Sequence, residues 1–160
     1  MISIGIDPGM SGAVVAIGGM GDVILCEDVP TFSVDKGREY NIPAMADMIR
    51  GVALSRECLV TLERAQAMPK QGVASTFQFG RGYGIWLGIL GAIGVPYQTV
   101  RPNEWTRILK GLPGKGKERS ILFASQHFPD IELVPGGCRK PRDGRADAAC
   151  LAWWGRTTHE

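Results

Sequence analysis

The sequence predicts a single α/β domain in which helices flank a mixed five-stranded β-sheet. Short apolar runs bounded by Gly, Pro and charged residues recur along the chain, as strands do. The later runs alternate with longer segments of helical periodicity, an order typical of parallel strands covered by helices. A chain of 160 residues can bury one core, and this one contains no repeat or low-complexity linker, so residues 1–160 are interpreted as one domain.

The individual elements follow from periodicity and from turn residues. Apolar runs predict strands over residues 2–7, 13–17, 23–29, 58–63 and 95–100. The first three are joined by short turns, with a hairpin-like turn over residues 18–22, and form an antiparallel meander. Helical patterns predict helices over residues 41–56, 75–94, 103–110, 118–128 and 146–157. Asn41 and Ser75 are the expected N-caps of the first two helices.

Three carboxylates stand on these elements. Asp7 ends the first strand, Glu63 ends the fourth, and Asp147 lies at the start of the last helix. A charge at the end of an apolar run must be paired, protonated or bound to metal. The first and fourth strands can lie side by side with the last helix crossing them, so the three acids are expected to meet. A divalent cation would remove their mutual repulsion, which predicts a metal-dependent site.

The charges are distributed unevenly along the chain. Residues 1–60 carry eight acids and four bases, whereas residues 61–160 carry eight acids and fourteen bases. The basic excess therefore lies in the part that holds Glu63 and Asp147. It favours a surface for a phosphate backbone, and a solvated face that keeps the protein soluble is the alternative interpretation.

Other features exclude whole classes of function. The four cysteines have no Cys-x-x-Cys spacing, which argues against zinc. No signal-peptide pattern precedes the first strand, so the reducing cytoplasm is the expected location. The uncharged stretch over residues 82–95 is too short and too rich in glycine to span a membrane, and it is interpreted as a buried helix.

Five motifs, in order and in spacing, resemble those of a known family. They are Ile4-Gly5-Ile6-Asp7-Pro8-Gly9, Leu62-Glu63-Arg64, residues 67–84, Val100-Arg101-Pro102-Asn103-Glu104-Trp105 and Asp143-Gly144-Arg145-Ala146-Asp147-Ala148. Together they resemble the RuvC-type Holliday junction resolvases, in particular the small phage-encoded branch, over nearly the whole chain. The resemblance implies a ribonuclease H-like fold, a homodimer and a nuclease that nicks branched DNA such as four-way junctions and forks.

The same resemblance implies how the chemistry would be divided. Two Mg²⁺ ions per active site, for which Mn²⁺ would substitute, would clamp the scissile phosphate. Asp7 would bridge both ions, Glu63 would hold the ion that activates the attacking water, and Asp147 would hold the ion at the leaving 3′ oxygen. The location would be the cytoplasm, that of a bacterial host if the gene is phage-borne.

One position departs from the wider family. Many members place a fourth acid or a histidine three residues before the last aspartate, where this chain has Gly144. Asp143 stands four residues before Asp147, a spacing that puts both side chains on one helix face. Asp143 is therefore the expected fourth ligand or water-positioning group, and an N-cap of the last helix is the alternative.

Several residues are candidates for DNA or subunit contacts. Lys115, Lys117 and Arg119 lie in and after a glycine-broken loop, which suits phosphate contacts or a solvated loop, and Lys70 and Arg81 flank the loop after Glu63. Trp105 could stack on a base, but beside Ile108 and Leu109 on a helix it is interpreted as packing. The glycine row of Gly80, Gly84 and Gly88 suits the dimer contact that the family makes with this helix, and a core helix is the alternative.

Two other functions compete with the nuclease. The first is a branched-DNA-binding protein of the same fold with weakened catalysis, which Gly144 makes conceivable. The second is an actin-like phosphotransferase, because Ile4-Gly5-Ile6-Asp7-Pro8-Gly9 also resembles the phosphate loop of that fold. Length argues against the second, since that fold needs two such lobes to enclose a nucleotide.

Overall fold

The computed structural model of the chain describes residues 1–53, 57–66 and 72–159. The strands in these residues are β1 (Ile2–Ile6), β2 (Ala13–Ile17), β3 (Val23–Asp28), β4 (Thr31–Val34), β5 (Gly37–Tyr40), β6 (Cys58–Glu63) and β7 (Tyr97–Val100). The helices are α1 (Ile42–Ala53), α2 (Val73–Ile93), α3 (Pro102–Trp105), α4 (Lys117–His127) and α5 (Asp143–Thr157). A 3-10 turn, Thr106–Leu109, continues α3.

Five of the strands form one mixed sheet in the order β3-β2-β1-β6-β7. β1 pairs antiparallel with β2, and β2 pairs antiparallel with β3. β1 pairs parallel with β6, and β6 pairs parallel with β7. This confirms the mixed five-stranded sheet and the adjacency of the first and fourth predicted strands. Every residue of β1 and β2 is buried, because both faces of these central strands are covered by helices.

Alternate residues of β2 show the two layers of the core. Val14 and Ala16 join a cluster with residues of α1 and α2, including Met45, Ile49 and Trp86. The intervening residues of β2 join a second cluster with α4 and α5. Successive side chains of a strand point to opposite faces, so α1 and α2 cover one face of the sheet and α4 and α5 cover the other.

Helix α5 lies directly on the sheet because small residues line the contact. A Cβ atom added to Gly5 of β1 would overlap the carbonyl oxygen of Ala148 and the amide nitrogen of Ala152. A Cβ atom added to Gly155 would overlap the hydroxyl of Thr61 in β6. The Ser3 hydroxyl, buried in β1, donates a 2.6 Å hydrogen bond to the carbonyl of Ala152. These contacts fix the position of α5 over β1 and β6.

The observed elements differ from the predicted ones in several places. The helix predicted over residues 103–110 is a short α-helix, α3, followed by a 3-10 turn, and β7 begins at Tyr97 and not at residue 95. The β4–β5 hairpin was not predicted, since it forms a separate two-stranded sheet with mostly exposed residues and no apolar run. Helix α2 begins at Val73, with Gly72 at the N-cap, so Ser75 is not its cap. Helix α5 begins at Asp143, three residues earlier than predicted. Asn41 is confirmed as a cap of α1, because its Oδ1 accepts a hydrogen bond from the amide of Ala44 at 3.3 Å.

None of the helices in the described part of the chain is long and apolar enough to cross a membrane.

Candidate active site

Asp7 and Glu63 meet at one edge of the sheet because their strands are parallel neighbours. Ile6 in β1 is paired with Leu62 in β6, and each acid is the next residue in its strand direction. Glu63 is the last residue of β6 and lies opposite Val100 of β7. The carboxyl ends of parallel strands form the usual site edge of an open α/β sheet. The strand register alone therefore places these two acids side by side.

The loop after β1 holds Asp7 in a tight turn. The amide of Gly9 donates a 3.3 Å hydrogen bond to Oδ1 of Asp7, and a Cβ atom on Gly12 would overlap the Asp7 carbonyl. The unpredicted β4–β5 hairpin supports the loop from outside. The hydroxyl of Tyr40 donates to the carbonyl of Pro8 at 3.4 Å, and the guanidinium of Arg38 donates to the hydroxyl of Ser11 at 3.3 Å.

Glu63 is held by a residue of α3, the short helix that follows the neighbouring strand β7. The indole N–H of Trp105, in α3, donates a 2.8 Å hydrogen bond to Oε1 of Glu63. Trp105 was predicted to pack in the core, and it does so with 4% of its surface exposed. Packing is only part of its role, because its polar edge contacts one of the three candidate acids. No residue pattern in the sequence indicates this hydrogen bond.

Asp147 reaches the same place from helix α5, which covers one face of the sheet. It lies in the second turn of α5, and this helix packs on β1 and β2. The buried hydroxyl of Ser120, in α4, donates a hydrogen bond to the carboxylate of Asp147. Ser120 was missed by the sequence reasoning, which offered no signal to separate it from other helical serines.

The three acids interact electrostatically, as expected from the sequence. Burial, then the charges of Glu63 and Asp147, raise the pKa of Asp7 from 3.8 to about 7, against the hydrogen bond from Gly9 and the charge of Lys117. Burial and the charge of Asp147 raise the pKa of Glu63, against the hydrogen bond from Trp105. Burial raises the pKa of Asp147, against the hydrogen bond from Ser120 and the charge of Lys117. Three mutually repelling buried acids are costly without a cation.

Asp143 forms an ion pair with a lysine. Its carboxylate forms an ion pair with the ammonium group of Lys117 at the start of α4, and about a third of the Asp143 side chain is exposed. Arg142 occupies the N-cap of α5, and no side-chain cap hydrogen bond is present there, so the N-cap alternative for Asp143 is wrong. Lys117, predicted to contact DNA, thus lies beside the acids and lowers the pKa of both Asp7 and Asp147.

Gly144 is explained by packing. A Cβ atom at this position would overlap the carbonyl oxygen of Ser11 and would lie 2.8 Å from Cα of Gly12. The first turn of α5 therefore rests on the loop that carries Asp7, and this contact leaves no room for a side chain. A fourth acid cannot stand at position 144 without displacing that loop.

The chemistry of the donor set fits a divalent cation of the Mg²⁺ type. Asp7, Glu63 and Asp147 offer only carboxylate oxygens, the ligands that Mg²⁺ and Mn²⁺ prefer. In residues 1–53, 57–66 and 72–159, no three His, Cys, Asp or Glu side chains are already gathered into a group that could hold a metal ion. The acids nevertheless lie close enough for the charges of Glu63 and Asp147 to raise the pKa of Asp7.

The remaining basic candidates are placed as follows. Lys70 lies outside the described residues. Arg81 in α2 forms an ion pair with Glu39 of the hairpin and stacks over the ring of Tyr40. Lys115 is exposed, and the guanidinium of Arg119 donates a 2.9 Å hydrogen bond to the carbonyl of Gly114, which supports the loop. Lys115 is therefore the candidate that the structure leaves most open to a phosphate.

Neither a protein-family model nor a curated protein matches the chain. Solved structures do match. The RuvC of Thermus thermophilus in complex with Holliday junction substrate is 20% identical, with a TM-score of 0.69, and the match covers 99% of this chain and 94% of that one. Another Thermus thermophilus RuvC structure is 23% identical, with a TM-score of 0.58, and the match covers 99% and 97%. The chain therefore has the RuvC fold, a ribonuclease H-like arrangement of a mixed five-stranded sheet and flanking helices.

Proposed function

We propose that the protein is a structure-selective endonuclease that nicks branched DNA, Holliday junctions and related forks, by two-metal-ion hydrolysis. The observation that carries the proposal is the meeting of Asp7, Glu63 and Asp147 from three separate elements. Burial raises the pKa of all three acids, and the charges of neighbouring acids raise the pKa of Asp7 and Glu63 further. The RuvC fold supports it, since one structure of that fold holds a Holliday junction substrate. The proposal includes a cytoplasmic location.

The roles of the residues follow from their positions. Asp7, Glu63 and Asp147, with Asp143 beside them, would hold two Mg²⁺ or Mn²⁺ ions, which when bound lower the pKa of the attacking water and neutralise charge on the phosphate. The charges of both other acids act on Asp7, which suits a shared ligand. Lys117 offers a cation beside them. Its ion pair with Asp143 is largely exposed and therefore weak enough to be exchanged for a phosphate.

Cleavage of labelled substrates tests the proposal directly. A four-way junction, a Y fork, a flap and a linear duplex of matched sequence would be incubated with protein and MgCl₂, and the products mapped to the nucleotide. We expect nicks near the branch point, products with 5′ phosphates, and little cutting of the duplex. Cutting of the linear duplex at the same rate as the junction would contradict the structure selectivity.

A second candidate is a branched-DNA-binding protein with weakened catalysis. Two observations favour this function. Gly144 stands where many relatives carry a further acid, and its surroundings leave no room for one. The carboxylate of Asp143 is already paired with the ammonium group of Lys117. Binding of the junction without cutting, in both Mg²⁺ and Mn²⁺, would support this function and overturn the nuclease.

DNA binding should depend on Lys115. This side chain is exposed in the loop before α4. Lys117, two residues later, lowers the pKa of Asp147, so the loop lies close to the acids. We expect Lys115→Ala to weaken junction binding and to flatten the plot of log K against log[salt] by about 0.9, the value for one lost phosphate contact. Lys115→Arg keeps the charge and should keep the slope. An unchanged slope for Lys115→Ala, measured by fluorescence anisotropy from low to moderate salt, would remove this residue from the interface.

We also propose that the protein is a homodimer through α2. The glycines of the predicted row lie on its exposed side, and a Cβ atom on any of them would meet nothing within 4 Å. Beside them runs an apolar groove between α1 and α2, lined by Ile42, Ala46, Ile85 and Ile89. An exposed apolar face of this kind is typical of a protein contact.

A charge in this groove should break the dimer. We expect Gly88→Glu to convert the dimer into a monomer, because the contact would have to accommodate and desolvate a charged side chain where the helix now presents only a hydrogen atom. Gly51→Glu is the matched control, since Gly51 is also helical and has nothing within 4 Å of its Cβ position. Sedimentation velocity over a range of concentrations measures both. A Gly88→Glu variant that sediments like the wild-type dimer would place the interface elsewhere.

A further inference from the structure

The segment Arg101–Trp105 was singled out by the sequence and is not explained by the proposed chemistry. It follows β7 directly, and β7 is the parallel neighbour of β6, whose last residue is Glu63. The amide of Arg64 donates a 2.7 Å hydrogen bond to the carbonyl of Val100, which extends the pairing one residue past Glu63. The start of α3 is thereby held at the same edge of the sheet as the acids.

The residues before Trp105 form a rigid helix start. Pro102 stands in the first helical position, where its fixed φ suits the helix and no N–H is missed. Glu104 turns back, and its Oε2 accepts a 2.9 Å hydrogen bond from the amide of Arg101. The amide of Glu104 in turn donates to the carbonyl of Arg101 at 3.0 Å. A single turn of helix is marginal alone, and these bonds fix its direction.

The rigid turn directs one side chain. Trp105 is 4% exposed and packs with Val100, Leu109 and Leu151, which leaves its ring little freedom. Its N–H donates the 2.8 Å hydrogen bond to Oε1 of Glu63. An indole can only donate, so this contact favours the ionised carboxylate and occupies one of its lone pairs. The other lone pairs remain available to a cation.

We propose that Trp105 is a positioning residue that fixes the carboxylate of Glu63 for a divalent cation. The inference rests on the proposed function, in which Glu63 is a metal ligand. Residues that orient metal ligands by hydrogen bonds contribute about 10- to 100-fold to metal affinity in other proteins. The Arg101–Trp105 motif then places a hydrogen-bond donor, which follows β7 in the chain, against the acid at the end of β6.

Binding of Mn²⁺ without DNA tests this inference. Calorimetric titration of the metal-free protein with MnCl₂ would compare wild type with Trp105→Phe, which keeps an aromatic ring and removes the N–H. We expect the Mn²⁺ dissociation constant to rise about tenfold or more. Trp153→Phe is the matched control, because Trp153 packs edge-on against Phe123 and Phe128 and has no part in the acid cluster. It should bind Mn²⁺ like the wild type.

A double-substitution cycle separates positioning from simple packing. If Trp105 acts through Glu63, then Trp105→Phe should change Mn²⁺ affinity in the wild type and should have no further effect in Glu63→Gln. Equal effects in both backgrounds would overturn the inference. If Trp105→Phe lowers the melting temperature markedly, replacement of the Trp105 indole by benzothiophene removes the N–H at constant shape and must give the same loss.

The remaining outcomes distinguish the inference from the function on which it rests. Mn²⁺ binding that is lost in Asp7→Asn but unchanged in Trp105→Phe would overturn the role of Trp105 and leave the nuclease proposal standing. Absence of Mn²⁺ binding to the wild type at millimolar concentrations, together with absence of cleavage, would overturn both.

Discussion

Asp7→Asn should abolish cleavage of a four-way junction, with a loss of at least about a thousandfold, while junction binding persists. A loss of this size corresponds to about 4 kcal/mol of transition-state stabilisation, within the range for a group that holds catalytic metal ions. Asn has nearly the shape of Asp but no charge, so the substitution removes the ligand without opening a cavity. Single-turnover cleavage with Mg²⁺, together with anisotropy measurements of binding, checks both parts.

The control for this variant is Asp22→Asn, an aspartate in the turn between β2 and β3. It should cut like the wild type. Retention of a tenth or more of the wild-type rate by Asp7→Asn would mean that the acid at the end of β1 is not a central metal ligand.

The same substitution should stabilise the metal-free protein at neutral pH. The folded pKa of Asp7 is about 7, above its ordinary value of 3.8, so its stabilising contribution is fully present below about pH 4 and is lost as the pH rises through 7. Between these limits the wild type should lose roughly 2–4 kcal/mol relative to Asp7→Asn. Urea unfolding in EDTA at pH 5 and pH 8 measures the difference, and added Mn²⁺ should reduce it.

Gly144→Ala should destabilise the fold by about 3 kcal/mol and should also reduce cleavage. The new methyl group would overlap the carbonyl oxygen of Ser11 and press on Gly12, so the loop that holds Asp7 must move. Backbone atoms cannot turn away as a flexible side chain can, and overpacking against them is costly. Urea unfolding and junction cleavage of the same preparation report the two effects.

The matched control is Gly51→Ala, which makes the same substitution on α1 with nothing within 4 Å of the new atom. Alanine is the better helix former by about 1 kcal/mol, so this variant should be more stable than the wild type. The contrast in sign separates crowding from helix propensity. If Gly144→Ala were as stable as the wild type, the contact between α5 and the Asp7 loop would not be the tight one that excludes a side chain.

The packing of Gly144 bears on how the site could be completed. Gly144→Asp should not supply a further ligand, because the Cβ atom of the new side chain would overlap the same backbone atoms. Under the proposed function, the charged groups that this chain offers beside the three acids are Asp143 and Lys117. Their ion pair spans α4 and α5 and is the contact that a phosphate would have to displace.

Much of the sheet could be predicted because its central strands β1, β2 and β6 are buried on both faces. Continuous apolar runs such as β1 and β6 differ clearly from the amphipathic pattern of α1, and their order limits the topology to few choices. Asp7 and Glu63 were predicted to meet for the same reason, since acids that follow two adjacent parallel strands share an edge. The likeness of motifs to a known family predicted the fold over the whole chain.

The contacts made by polar atoms across the fold could not be predicted. The hydrogen bond from Trp105 to Glu63 and the ion pair of Lys117 with Asp143 join residues far apart in sequence, and each depends on side-chain direction. The β4–β5 hairpin was missed because its two strands are only four residues long and mostly exposed, although Phe32 and Val34 alternate with polar residues. The hairpin supports the Asp7 loop through hydrogen bonds from Arg38 and Tyr40, and such tertiary contacts are not visible in the local sequence.

The seat of α5 on Gly5 of β1 has a consequence for folding. Asp7 follows β1 and Asp147 lies in α5, and these two elements are in direct contact although they are far apart in sequence. Contacts between distant segments carry a large loop-closure cost and slow the folding of a domain. The three acids come together only once α5 has docked on β1, so a partly folded intermediate without that contact has no complete acid cluster.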